Sequence, residues 1–120
     1  MIEQELFYIM KTIIPDLKQT EQFSYYDCYS EYYKAHIELK CRKTHYEELM
    51  IEKIKYDKLK KVNSWYINST PAGIYSFNIQ KLDEPIWLKE FMPMTTEFKN
   101  TIMIEKVVGY LDINQAKKIM

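Results

Sequence analysis

Apolar residues first recur at helical spacing. Ile2, Leu6, Ile9, Met10, Ile13 and Leu17 make one stripe over residues 2–18, which predicts an amphipathic helix whose end is marked by Pro15 and Asp16. From residue 34 the period changes to two. Ala35, Ile37, Leu39 and Cys41 fall on one face of a strand, with His36, Glu38, Lys40 and Arg42 on the other. A preceding strand puts Phe23, Tyr25, Asp27 and Tyr29 on one face, and residues 30–33 turn one strand into the other as a hairpin. A polar stretch through Lys43, Thr44 and His45 leads to a second helix over 52–62, strongly basic. Strands follow at 64–68 and 74–79, joined by the turn residues of Thr70-Pro71-Ala72-Gly73. Residues 85–88 and 101–110 add an edge strand or a small hairpin, and 112–120 reads as a short helix capped by Asp112. The order helix, strand, strand, helix, strand, strand predicts an α/β sandwich with a mixed sheet.

The polar faces of the first two strands carry the candidate chemistry. If they coincide, Asp27, Glu38 and Lys40 converge. Residues two apart on a strand lie about 7 Å apart on the same side. Glu38 can therefore hold a metal while Lys40 reaches the water or phosphate beside it. Asp27 completes an oxygen-rich site suited to a hard cation such as Mg²⁺, of the kind that activates water and stabilises charge developing on a phosphodiester. Pro15-Asp16 is a competing acidic position, rejected because it ends a helix instead of lying on a strand beside Glu38.

This arrangement resembles the PD-(D/E)XK nuclease superfamily, whose signature is an Asp, a variable gap, then Glu-X-Lys on the next strand. Asp27 followed by Glu38-Leu39-Lys40 matches that order. Ile37 to Arg42, Ile51 to Leu59, Met94-Thr95-Thr96-Glu97-Phe98 and Val107 to Leu111 look similar to small phage-encoded members, so the likeness spans most of the chain. It implies a restriction-endonuclease-like core in which a mixed central sheet is flanked by helices. It implies further roles as well. The backbone carbonyl of Leu39 faces the metal, Glu3 on the first helix is an extra metal-site carboxylate, and the second helix points Lys55, or else Lys53, at the site. Arg42, beside the motif, and His45, just beyond the strand, are further candidates for contact with phosphate.

Composition narrows this. The 120 residues suit one domain, 1–120, with a single core. Seventeen basic residues balance seventeen acidic ones, so no overall basic field draws in DNA and any binding must come from a local face. Cys28 and Cys41 fall on core-facing strand positions and read as reduced thiols. No signal peptide or long apolar run is present, which leads us to expect a soluble, cytoplasmic protein with no membrane partner, in the host cell if phage-encoded. Eleven tyrosines, with those at 25, 26, 29, 32 and 33 near the hairpin, are explained mostly by sheet packing and partly by base stacking. Lys89, Lys99 and Thr95-Thr96 fall in a loop to which the sequence assigns no role.

The expected function is a Mg²⁺- or Mn²⁺-dependent DNA endonuclease acting on structured or branched DNA. Asp27 and Glu38 hold the metal, and Lys40 orients or deprotonates water. A homodimer suits double-strand cuts or junction resolution, since each chain has one site. The alternative is a catalytically inactive member of the fold acting as a binding or anti-defence inhibitor protein, which the neutral charge favours.

Overall fold

The computed structural model describes residues 1–20, 27–94 and 102–120. Helix α1 (Glu3–Ile13) buries Leu6, Phe7 and Met10. It ends before Pro15, whose ring cannot continue the hydrogen-bond ladder, so it is shorter than the apolar stripe suggested. Lys11 folds back to donate to the carbonyls of Pro15 and Leu17 at 3.1 and 2.9 Å, and Leu17 is buried by the turn beyond the helix. Ile2 and Ile13, expected on the buried stripe, are exposed.

A six-stranded mixed sheet follows the spatial order β1, β2, β3, β5, β6, β9. Strand β1 (Lys18–Gln19) pairs antiparallel with β2 (Cys28–Ser30), and β2 pairs antiparallel with β3 (Ala35–Cys41). The hairpin between β2 and β3 contains Lys34 at a φ of 51°. Strand β5 (Ser64–Thr70) runs parallel to β3, with Glu38 beside Tyr66 and Lys40 beside Asn68. Strands β6 (Gly73–Asn78) and β9 (Lys117–Lys118) complete the sheet, both antiparallel to their neighbours. The expected positions of Phe23, Tyr25 and Tyr26 lie outside the described residues, as do Thr95, Thr96, Glu97, Phe98 and Lys99.

Two expectations are corrected at the chain's second half. The segment between the Glu38 strand and the second helix is a strand, β4 (Glu48–Glu52), with Leu49 and Ile51 buried. It joins a separate three-stranded sheet ordered β4, β8, β7, built with β7 (Leu88–Pro93) and β8 (Met103–Asp112). The C-terminal segment is no helix. Asp112 does cap, accepting from the Asn114 N–H at 2.9 Å, but only a 3₁₀ turn over Ile113–Gln115 follows. The chain then closes the sheet edge as β9, where the Ile74 N–H donates to Met120 and the Ile119 N–H to Ile74. Pairing along an open strand edge satisfies more backbone than a frayed terminal helix does.

Helix α2 (Lys53–Lys60) starts directly after β4 and packs Tyr56 and Leu59 inward. Its last carbonyls are covered by Gln80, which donates to Lys60 at 3.0 Å and also to Val62, and by the Ser64 hydroxyl, which donates to Leu59 at 2.7 Å. The crossover from β3 through β4 and α2 to β5 puts α1 on one face of the central sheet and α2 with the second sheet on the other. One apolar cluster accordingly joins Leu6, Met10 and Leu17 to Ile37, Leu39 and Ile67. The other joins Tyr56 and Leu59 to Tyr66, Phe77 and Leu111. Among the described residues no helix is long and apolar enough to cross a membrane.

The β5–β6 turn depends on Gly73. Its φ of 146° disfavours any side chain, and an added Cβ would come 2.3 Å from the Met120 carbonyl oxygen. Gly73→Ala is expected to lower unfolding free energy by about 1–3 kcal/mol in urea melts. An unchanged midpoint would show that β9 gives way without cost.

Candidate active site

Strand β3 presents Glu38 and Lys40 on the α2 face because its odd-numbered residues are committed to the α1 core. The β2–β3 register pairs Tyr29 with His36 and Cys28 with Ile37; continued by one residue, it sets Asp27 beside Glu38. The Asp27 carboxylate is pinned there, its Oδ2 accepting from the Leu39 N–H at 2.8 Å. Asp27 and Glu38 are thus neighbours across β2 and β3, and Lys40 lies two residues beyond Glu38 on the same face of β3.

Glu38 is 5 % exposed. Its Oε1 lies 2.5 Å from Nζ of Lys55, which reaches it from the inward face of α2 one turn before Leu59. Burial pushes the Glu38 carboxyl up to about 7. Lys55 opposes that rise, and the negative charges of Asp27 and Glu3 add to it. Burial also pulls on Lys55, but Glu38 outweighs it and holds the ammonium above the ordinary lysine value. Burial lowers the pKa of Lys40, helped by the nearby cations of Arg42 and Lys55, while Glu3 and Glu52 counter it. A lysine with a lowered pKa gives up its proton more readily than a solvated one.

The remaining candidates divide. Glu3, exposed on the first turn of α1, is close enough for its charge to act on both Glu38 and Lys40. Leu39 buries its side chain in the α1 core and uses its N–H to hold Asp27. Arg42 is spent on structure: it donates to Asn68 Oδ1 at 2.7 Å, to the Met50 carbonyl at 2.5 Å and to the Tyr66 hydroxyl at 3.1 Å. Lys53 lies apart from Glu38, bonded to Asp57 at 2.8 Å and held 5.6 Å over the Trp87 ring. His45 is likewise apart, tied to Thr70 at 2.9 Å with its ring 5.7 Å from that of Tyr75 and tilted against it. Asp16 anchors the β2–β3 turn by accepting from Ser30 Oγ at 2.8 Å and the Tyr32 N–H at 2.9 Å, and the Tyr32 bond is the main reason its pKa is lowered.

Sequence reasoning passed over four neighbours. Tyr66 and Asn68 sit beside Glu38 and Lys40 on β5, and Asn68 is fully buried with its Nδ2 lacking a hydrogen-bond partner. A buried Asn facing the motif strand is a signal that alternation along 64–70 carried. Glu52 and Lys106, paired at 2.6 Å, close the site from the second sheet. No local pattern announces that pair, because the two strands meet only in the folded chain.

The donor set is two carboxylates, and among the described residues no three His, Cys, Asp or Glu side chains gather into a cage. That fits a Mg²⁺-type ion, which takes one or two carboxylates and fills its remaining positions with water and phosphate oxygens. A cavity of about 440 Å³ lies elsewhere, on the opposite face of the sheet between Met10, Ile14, Ile37 and Trp65, and holds none of these groups.

The architecture is a central mixed sheet with one helix on each face, and Asp27 and Glu38 sit side by side where the chain enters β2 and along β3. It matches Hjc, a Holliday junction resolvase from the archaeal hyperthermophile Archaeoglobus fulgidus, with a TM-score of 0.60 over 98% of this chain and 93% of that one, at 14% identity. No family model and no curated protein matches the chain by sequence.

Proposed function

We propose that this protein is a metal-dependent phosphodiesterase that cleaves DNA, with branched DNA as its preferred substrate. The observation that carries this is the side-by-side placement of Asp27 and Glu38, with Lys40 on the same face, within a fold shared with a junction resolvase. Asp27 and Glu38 would hold Mg²⁺ or Mn²⁺, with the Leu39 carbonyl as a third donor. A divalent ion in such a site supplies Lewis acidity toward the phosphate and lowers the pKa of water. Lys40 orients the attacking water and takes up its proton or neutralises the charge that develops. Lys55 approaches the phosphate from α2. Because the described residues of each chain hold one such set, resolving a junction symmetrically calls for two copies.

The test is cleavage of linear, nicked, single-stranded and four-way-junction DNA by purified protein with Mg²⁺, with Mn²⁺ and with chelator. We expect metal-dependent cutting strongest on the junction. Absence of cutting on every substrate with both metals would overturn the proposal. A second reading, a binding protein with a retired site, is favoured by the balanced charge and by Lys55 already occupying Glu38.

A further inference from the structure

The position of Lys55 has a meaning beyond substrate contact. We infer that the Lys55 ammonium is the site's own stand-in for a divalent cation, neutralising Glu38 in the resting protein and giving way when metal loads. This rests on the metal-dependent reading of the site. The geometry behind it is specific. Glu38 is buried, and a buried carboxylate without a counter-charge is strongly unfavourable. The ion pair at 2.5 Å supplies that counter-charge from an element other than the carboxylate's own strand. Lys55 is only about one-third exposed, and its four-carbon stem leaves α2 beside the buried Leu59, so the head can swing outward while the helix stays packed.

Two cations cannot share Glu38 without mutual repulsion, and Lys55 already acts, with Arg42, as a like charge on Lys40. Metal binding must therefore work against Lys55. The displaced ammonium is left at the mouth of the site, where an incoming phosphate is its natural partner. Lys55 would thus couple metal loading to readiness for substrate. A lysine whose role is only to brace Glu38 predicts the reverse dependence, since removing the brace would loosen a metal ligand and weaken metal binding.

Calorimetric titration of the full chain with Mg²⁺ and Mn²⁺ distinguishes these. Lys55→Gln and Lys55→Met should bind metal about tenfold or more tightly than wild type, while Lys55→Arg, which keeps the charge, should bind like wild type. Metal-free Lys55→Gln should melt lower than wild type and gain more in Tm from Mg²⁺. A measurement on wild type keeps the inference testable if those variants fold poorly. Brief acylation with an amine-selective reagent, followed by peptide mass spectrometry, should label Lys55 several-fold faster with Mg²⁺ than with chelator. Lys53 and Lys58, on the same helix, should not change. Weaker or unchanged metal binding in the charge-removing variants, or Lys55 labelling that is unaffected or slowed by Mg²⁺, overturns the stand-in role and leaves the metal site intact. No metal binding by wild type overturns the metal reading itself and the stand-in role with it.

Discussion

Asp27→Asn, Glu38→Gln and Lys40→Ala are each expected to reduce junction cleavage by at least about a thousandfold, because each removes a metal-holding or charge-stabilising group from a partly water-excluded site. The three should still fold. Asn at 27 keeps an oxygen able to accept from the Leu39 N–H, and Gln at 38 keeps the shape of Glu. Lys40 is only half-buried, and no described ion pair depends on it. Asp16→Asn is the matched control. Its carboxylate serves the β2–β3 turn, so cleavage should match wild type while acid resistance suffers slightly. The Asp16 pKa is lowered in the fold, so its contribution is present above the unfolded value and is lost as pH falls through the folded one. Full cleavage by Glu38→Gln, or equal loss in Asp16→Asn, would sink the site assignment.

Metal-free protein should lose stability as pH rises from about 5 to 8. Burial raises Glu38 from 4.5 to about 7 even with Lys55 beside it, so between these values the native state holds a proton that the unfolded chain has released, and the charge pair with Lys55 is complete only above about pH 7. Stability then falls with each step up in pH across that window, by on the order of 2 kcal/mol in all, or several degrees in Tm. Glu38→Gln should flatten the slope. Mg²⁺ should restore stability by mass action, more at pH 8 than at pH 6, because the ion competes with that proton for Glu38. Asp27→Asn should be at least as stable as wild type without metal, since it relieves like charge beside Glu38, and should gain little from Mg²⁺. Thermal melts across pH with chelator and with millimolar Mg²⁺ test all three. A pH-independent melt that Mg²⁺ leaves unmoved would remove the metal from the site and favour the binding-protein reading.

The chain's own alternation determined the centre of the molecule. A period of two along residues 35–42 commits Ile37 and Leu39 to a core, and that commitment forces Glu38 and Lys40 onto the opposite face whatever else the protein does. Antiparallel register across a short turn then brings Asp27 to Glu38. Both effects are local, which is why they were legible. The second helix was legible too, and with it Lys55, though which of its lysines turns inward depends on the phase set by Tyr56 and Leu59.

Tertiary structure decided the rest. Residues 48–52 became a strand because β8 offered them an edge, a partner more than fifty residues away that no window of sequence contains. Residues 117–118 became a strand for the same reason, against β6. Arg42, Lys53 and His45 carry the charge or ring that phosphate contact asks for, yet packing gave them other partners: Asn68 and Met50, Asp57, and Thr70. The ion pair between Glu38 and Lys55 belongs to this second class. Alternation can place a carboxylate on a face, but only the docking of a helix over that face decides how deeply it is buried and which cation neutralises it.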